Sequence, residues 1–191
     1  SHIVDKLVNL GHEVRVIDDM SAIENKYFYT NLDAQYWHKD ISKDDCNDAF
    51  KSVDYVFHLA ARSRIQPTIG SSLYGKQNVI PFAPNMPADC LNPYSMSKWM
   101  GEQLCKLYSQ LYGLPSIVLR YFNVYGPREP IKGEYAPVVG LFKRQHAAGE
   151  AMTIVGDGLQ KRDFTYIDDV VEANILAMKS SVKKIHHNIY N

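Results

Sequence analysis

A tyrosine and a lysine stand four residues apart in the stretch NPYSMSKWMGEQL, residues 92–104. On a helix, that spacing places Lys98 beside Tyr94 on one face. A free phenol has a pKa of about 10 and is a poor base at neutral pH. A neighbouring ammonium stabilises the phenolate and lowers its pKa, and a helix N-terminus acts in the same direction. The pair could therefore take a proton from a hydroxyl group while hydride leaves the same carbon.

The spacing of these two residues has an ordinary alternative. The chain holds 13 tyrosines, so that one Tyr-x-x-x-Lys is about what chance predicts. A surface tyrosine and lysine on an amphipathic helix would give the same pattern. Which interpretation holds depends on the helices and strands that position the pair.

Helix and strand patterns alternate along the chain, which predicts an α/β fold with a parallel sheet. Pro93 favours a helix start, and the helix that carries the pair is predicted over residues 92–112. Other helices are predicted over residues 2–10, 43–52, 138–148 and 168–179, and strands over residues 14–17, 53–61, 115–122, 151–155 and 186–191. The near-continuous apolar run VDYVFHLAA, residues 53–61, is typical of a buried parallel strand.

Ligands bind beyond the carboxyl ends of such strands, and four strand ends carry suitable residues. Asp18 is a candidate for an adenosine ribose diol, although a plain turn aspartate is an equal alternative. Asp40 and Ile41 could flank an adenine. The small residues of HLAA would let a flat cofactor approach, whereas His58 is better explained as a packed histidine than as a base. RYFN, residues 120–123, offers an aromatic wall and an amide, and together these ends favour the catalytic interpretation of the pair.

Several motifs, in their order along the chain, resemble the extended short-chain dehydrogenase/reductase family. Within that family the resemblance is to nucleotide-sugar 4-epimerases of the UDP-glucose and UDP-N-acetylglucosamine type. It covers essentially the whole chain and rests on the stretches HLAARSRIQPTI, SSLYG, NPYSMSKWMGEQL, LRYFNVYGPR and MTIVGDGLQKRDFTYIDDVVEAN. It implies a doubly wound, Rossmann-like parallel sheet, NAD as cofactor, a UDP-sugar as substrate, and a cytoplasmic homodimer.

The resemblance also implies roles for individual residues. Tyr94 would be the catalytic base, and Lys98 would also bind the nicotinamide ribose. Asp18 would hold the adenosine ribose. The remaining cofactor residues would be Asp40, Ile41, Leu59, Ala60, Ala61, Tyr121 and Phe122. The family's catalytic serine or threonine falls on Gly70 in this chain, so Ser71 and Ser72 are the nearby substitutes.

On the substrate side, the resemblance assigns Asn123 and Arg162 to the diphosphate, a task that suits a planar guanidinium. Phe142, Thr153 and Val155 would pack the uridine. A surface ion pair of Arg162 with Asp163 or Asp168 and an ordinary core role for Phe142 are the alternatives.

The expected reaction is C4 epimerisation of UDP-glucose, UDP-galactose or their N-acetyl forms through transient oxidation. A dehydratase or decarboxylase of the same family is the nearest alternative. Family dehydratases carry an Asp-Glu pair after the catalytic threonine, and SSLYG has none. A non-catalytic remnant that binds a nucleotide-sugar or a partner subunit is the alternative from another class.

Composition excludes several other classes of function. The formal net charge is zero, which gives no basic surface for nucleic acid. No apolar run approaches the roughly 18–20 residues of a membrane span. Cys46, Cys90 and Cys105 are an odd, scattered set without a C-x-x-C motif, which fits a reduced cytosolic protein, and no metal site is predicted.

The chain departs from the family pattern at three places. The first strand with its glycine-rich turn, one βα segment before SSLYG, and part of the C-terminal substrate lobe are not in the sequence. We therefore expect portions of a longer chain joined end to end, with a break between Pro67 and Ser72, next to Gly70. Residues 1–125 are expected to form the NAD-binding portion with the catalytic helix. Residues 126–191 are expected to form part of the nucleotide-sugar lobe together with returning Rossmann elements.

Overall fold

A computed structural model describes residues 1–21, 28–61, 73–75, 81–129, 138–180 and 187–191. Ser71, Ser72 and the expected break between Pro67 and Ser72 lie outside these ranges. The chain divides into two compact units. Unit 1 contains Ser1–Ala61 and Asn123–Glu172, and unit 2 contains Arg62–Phe122 and Ala173–Asn191.

Helices and parallel strand pairs are both present among the described residues, which confirms the α/β class. The helices are α1 His2–Asn9, α2 Asn47–Phe50, α3 Pro93–Tyr112, α4 Val138–Ala147 and α5 Ile167–Lys179. The strands are β1 Arg15–Asp18, β2 Gln35–His38, β3 Ile117–Leu119, β4 Val124–Tyr125, β5 Thr165–Tyr166 and β6 Asn188–Tyr190. No helix of the described residues has the length and apolar character needed to cross a membrane.

The described strands form three parallel pairs. In unit 1, β1 pairs with β2 with Arg15 opposite Gln35, and β4 pairs with β5 with Val124 opposite Thr165. In unit 2, β3 pairs with β6, and Ile117 lies opposite Asn188. Parallel pairing brings the carboxyl ends of both strands to the same edge, which is where this class of sheet binds ligands.

Two predicted strands are not formed. Residues 53–61 and 151–155 have no ladder partner among the described strands. Val56 and Ile154 are accordingly 64% and 68% exposed. An apolar run becomes a buried strand only where neighbouring strands accept and donate its backbone hydrogen bonds. At Thr153 a side chain replaces the missing strand partner, because the Thr153 backbone N–H donates to Oε1 of Gln145 at 3.1 Å.

A polar cluster in unit 1 connects α1 with the Gly-Pro-Arg turn after β4. Nη2 of Arg128 donates to Oδ2 of Asp5 at 2.8 Å. Oδ1 of Asp5 accepts from Tyr29 Oη and from Asn31 Nδ2, both at 2.8 Å. Burial opposes ionisation of Asp5, but the hydrogen bonds from Asn31, Arg128 and Tyr29 outweigh it and lower the pKa of the carboxyl.

Helix α3 begins and ends at well-defined caps. Oδ1 of Asn92 accepts from the Ser95 N–H at 2.9 Å, and Oγ of Ser95 accepts from the Asn92 N–H at 3.3 Å. Pro93 occupies the first turn, where a missing N–H costs nothing. Gly113 ends the helix in the left-handed conformation, with φ of 65°. The N-terminal cap determines where the first turn of the helix begins, and therefore the position of Tyr94.

We expect Asn92→Ala to lower the free energy of unfolding by about 1 kcal/mol, because the Ser95 N–H loses its side-chain acceptor. Urea denaturation followed by circular dichroism measures this change. Asn92→Ser is the matched control, since a serine oxygen also caps a helix, and it should retain most of the stability. Equal losses in both variants would contradict a capping role for Asn92.

Candidate functional site

Tyr94 and Lys98 share one face at the start of α3. The Nζ atom of Lys98 lies 5.4 Å from the centroid of the Tyr94 ring. Tyr94 is half-buried and Lys98 is exposed. The positive charge therefore lies close to the phenol, as the four-residue spacing predicts, in a place that a substrate hydroxyl could reach.

An aromatic wall in the same unit contains Phe122, three residues after β3, and two rings from earlier in the chain. The rings of Tyr74, Phe82 and Phe122 stack nearly parallel, with Tyr74 and Phe82 centroids 4.6 Å apart and those of Tyr74 and Phe122 6.5 Å apart. The neighbouring Tyr121 accepts a hydrogen bond from Asn174 Nδ2 at 2.6 Å. Burial raises the pKa of Tyr121 although this hydrogen bond opposes it, so Tyr121 stays a neutral phenol that can form a surface but not act as a base.

Two residues that the sequence analysis did not single out connect α3 with this wall. Arg120 and Glu102 form an ion pair in which Nη2 and Oε2 are 2.7 Å apart. Tyr74 adds its hydroxyl, which accepts from Nη1 of Arg120 at 2.6 Å. The sequence holds one signal for this group, because Glu102 follows Tyr94 and Lys98 at the same spacing of four residues along the helix.

Cofactor candidates in unit 1 lie at the carboxyl ends of β1 and β2. Asp18 is exposed, and its Oδ1 accepts from the Met20 N–H at 2.8 Å. No hydrogen bond of the described residues uses its Oδ2, which leaves that oxygen open to a further donor. Ile41 is 45% exposed.

The carboxylate of Asp40 is engaged within its own turn. Hydrogen bonds from the Lys43 ammonium and from Ser42 hold its pKa well below the usual range. The backbone N–H of Asp40 also donates to Oδ2 of Asp44 at 2.8 Å. These contacts shape the turn that presents Ile41.

Leu59, Ala60 and Ala61 are exposed and form the end of the segment that was predicted as a strand. They are small or apolar, and 54% of the Leu59 surface is accessible. The described part of unit 1 gives them no strand neighbour. Their position alone therefore does not establish a cofactor contact.

A cavity of about 250 Å³ lies in unit 1 beside β4. It is lined by Asn123, Val124, Tyr125, Val138, Val139 and Phe164. Nδ2 of Asn123 donates to the carbonyl of Asp163 at 2.7 Å, which connects the cavity wall with the segment that carries Arg162. Its lining combines aliphatic and aromatic side chains with one amide.

The other predicted substrate residues have different surroundings. Arg162 is exposed and donates from Nη1 to the Lys161 carbonyl at 2.8 Å. In the described ranges it forms no ion pair with Asp163 or Asp168. Thr153 accepts from Nε2 of the buried Gln145 at 2.7 Å, a partner that the sequence analysis missed. Phe142 is half-buried on α4, and Val155 is 74% exposed.

Known proteins are similar to this chain in both sequence and fold. The profile of the NAD dependent epimerase/dehydratase family matches residues 68–191. A putative UDP-glucose 4-epimerase of Methanocaldococcus jannaschii is 32% identical and is aligned over 93% of this chain and 69% of its own length. A UDP-N-acetyl-alpha-D-glucosaminuronate decarboxylase of Bacillus cytotoxicus is 33% identical, with 95% and 68% covered.

A solved structure agrees with this likeness. The crystal structure of a UDP-glucose 4-epimerase from Thermotoga maritima with UDP-glucose matches with a TM-score of 0.86 and 31% identity. The match covers 100% of this chain and 72% of that chain, which confirms the predicted Rossmann-like fold. Family profile, relatives and fold agree, and the chain belongs to the NAD-dependent epimerase/dehydratase family.

Proposed function

We propose that this protein is an NAD-dependent 4-epimerase of a UDP-sugar, with UDP-glucose, UDP-galactose or their N-acetyl forms as substrates. The observation that carries the proposal is the position of the Lys98 ammonium beside Tyr94 in the first turns of a capped helix. The relatives from Methanocaldococcus jannaschii and Thermotoga maritima, both named as UDP-glucose 4-epimerases, support it.

Tyr94 would accept the proton of the sugar 4-hydroxyl as its phenolate, and the Lys98 ammonium would stabilise that phenolate. Bound NAD would supply the chemistry of a hydride acceptor in the first step and of a hydride donor in the return step. The C4–H bond would lose its electron pair as hydride while the hydroxyl proton goes to Tyr94, so that C4 would become a ketone. After rotation of the keto sugar, hydride would add to its other face and Tyr94 would return the proton to the oxygen.

The cofactor contacts are part of the same proposal. Asp18 would bind the adenosine ribose, and the turn of Asp40 and Ile41 would flank the adenine through its apolar side chain. Leu59, Ala60 and Ala61 would lie along the cofactor, with Tyr121 and Phe122 at the nicotinamide. Ser71 or Ser72 would donate a hydrogen bond to the sugar oxygen. Their position lies outside the described residues, and this role rests on the family resemblance.

Of the proposed substrate contacts, Asn123 lines the cavity beside β4. Asn123 and Arg162 would hold the diphosphate, and the open position of Arg162 supports this role. Phe142, Thr153 and Val155 would pack the uridine. Because the hydroxyl and backbone N–H of Thr153 are both held by Gln145, Thr153 would contribute packing.

A second candidate is decarboxylation of a UDP-sugar acid, favoured by the relative from Bacillus cytotoxicus that is named as such a decarboxylase. The two reactions are separated by incubating the protein and NAD with UDP-glucose, UDP-N-acetylglucosamine or UDP-N-acetylglucosaminuronate. An epimerase converts one of the neutral sugars into its C4 epimer, whereas a decarboxylase releases carbon dioxide from the acid. A protein that binds these sugars without any conversion would contradict the proposed function.

A homodimer is also proposed, on the basis of an exposed apolar stripe along α3. At about 100° per residue, the side chains of the stripe lie within one sector of the helix, centred about 110° from Tyr94 and about 150° from Lys98 around the axis. The stripe consists of Met100, Leu104, Leu107 and Leu111, which are 55%, 53%, 44% and 63% exposed. Contact with a second copy would cover this stripe and leave the face of Tyr94 accessible.

A cytoplasmic location is proposed as well, because Cys46, Cys90 and Cys105 are all free thiols.

We expect Tyr94→Phe to lower kcat by about 10²–10⁴-fold, because the proton acceptor is removed while the ring remains. Coupled assays of epimerisation measure kcat, and calorimetry should find NAD affinity close to that of the wild type. Tyr108→Phe, on the same helix and 50% exposed, is the matched control and should keep full turnover. Near-normal turnover of Tyr94→Phe would sink the catalytic assignment.

Arg162→Ala should weaken binding of the UDP-sugar by about 1.5–3 kcal/mol, the contribution of a hydrogen bond to a charged group. Calorimetric titration with UDP-glucose or UDP-N-acetylglucosamine measures the difference. Lys161→Ala removes the adjacent exposed cation and should change the affinity little. If the two variants bind equally well, Arg162 has no contact with the diphosphate.

Sedimentation velocity should find the wild type as a dimer, and Leu104→Glu should shift it to the monomer because a charge is buried in the contact. Leu32→Glu, at a site in unit 1 that is 95% exposed, is the matched control and should leave the dimer intact. A monomeric wild type, or a Leu104→Glu variant that stays dimeric, would show that the stripe is not the contact.

A further inference from the structure

Arg120, directly after β3, has a guanidinium that is almost fully used by hydrogen bonds. Its side chain is 12% exposed and that of Glu102 is 9% exposed. Nε donates to Oε1 of Glu102 at 2.8 Å and Nη2 donates to Oε2 at 2.7 Å, which is the two-pronged geometry of an arginine–carboxylate pair. Nη1 donates to Tyr74 Oη at 2.6 Å and to the Pro84 carbonyl at 3.2 Å.

The carboxylate in this pair belongs to the helix that carries the proposed base. Glu102 lies two helical turns after Tyr94 and one after Lys98 on α3. A helix of this length moves as a stiff rod, so that a contact at Glu102 restrains Tyr94 and Lys98 as well. Glu102 is buried, and the fork of Arg120 leaves it one arrangement in which both carboxylate oxygens are paired.

The other contacts of Arg120 belong to the aromatic wall. The ring of Tyr74 is 2% exposed and stacks with Phe82 and Phe122. Its hydroxyl donates to Oδ1 of Asn191 at 2.5 Å while it accepts from Arg120. The backbone N–H of Arg120 donates to the carbonyl of Tyr190 at 2.9 Å, which extends the β3–β6 ladder. Arg120 thus joins α3 and the aromatic wall to the end of β3.

We propose that Arg120 is a positioning residue that sets the spacing between the Tyr94–Lys98 face of α3 and the aromatic wall, a role that rests on the function proposed above. The proton leaves the 4-hydroxyl oxygen and the hydride leaves the C4 that carries it, so the base and the nicotinamide wall must hold one distance during the reaction. A lysine could keep the charge at this site, but a single ammonium cannot reproduce a fork that reaches Glu102 and Tyr74 together.

The first experiment compares turnover with binding. Arg120→Lys should lower kcat about 10- to 100-fold, the effect of a misplacement of about 1 Å, while KM and NAD affinity stay within about threefold. Arg15→Lys is the matched control, because two nitrogens of the Arg15 guanidinium also donate to a glutamate, here to a single oxygen, and a third donates to a backbone carbonyl at 2.7 Å. It should leave kcat per folded molecule unchanged. Unchanged kcat in folded Arg120→Lys would overturn the proposal.

The second experiment does not depend on activity. Tyr74→Phe keeps the stacked ring and removes the hydroxyl that Arg120 contacts, so backbone hydrogen exchange should become faster at residues 98–106 as well as at residues 73–75. In the double variant of Tyr74→Phe and Arg120→Lys, backbone hydrogen exchange at residues 98–106 should be no faster than in Arg120→Lys alone, because the contact between Arg120 and Tyr74 is already broken. Faster exchange confined to residues 73–75 would show that Arg120 does not connect the two elements.

The two experiments separate two kinds of failure. A wild type that converts no UDP-sugar refutes the proposed function, and the exchange measurement then still decides whether Arg120 connects α3 with the wall. A wild type with full turnover and an Arg120→Lys variant of equal kcat refutes the positioning role alone.

Discussion

The buried ion pair of Arg120 and Glu102 is the interaction on which the arrangement of unit 2 depends. Two charges with side chains 12% and 9% exposed are stable away from water only if nearly all of their hydrogen bonds are made. The fork between them, the Tyr74 hydroxyl and the Pro84 carbonyl satisfy that condition. The loss of either partner would leave a buried charge without a counterion, so the contact specifies one arrangement of helix, wall and strand.

Unit 1 follows the same rule with a different set of groups. Asp5 accepts from Arg128, Tyr29 and Asn31, and so joins α1 to the turn after β4. Gln145 satisfies the backbone N–H and the hydroxyl of Thr153 in a segment without a strand partner. Polar side chains thus hold together the segments beside the strand ends, where loops leave backbone groups unpaired.

The sequence predicted the helices well because their signals are local. Asn92, Pro93 and Gly113 mark the two ends of α3, and each acts through its own backbone geometry. Residues 53–61 and 151–155 carry an equally clear apolar signal, but a strand exists only if another strand lies beside it. Their apolar pattern therefore predicted that these residues would be buried in a sheet, but no described strand pairs with them.

The sequence by itself determined the family, the two ends of α3, and the shared face of Tyr94 and Lys98, because caps act locally and a helix repeats every 3.6 residues. Only the tertiary structure decided that Tyr74 stacks with Phe82 and Phe122 and that Arg120 pairs with Glu102. The stacked rings and the ion pair join residues far apart along the chain. Which distant atoms meet depends on how whole elements pack, and no local spacing records that.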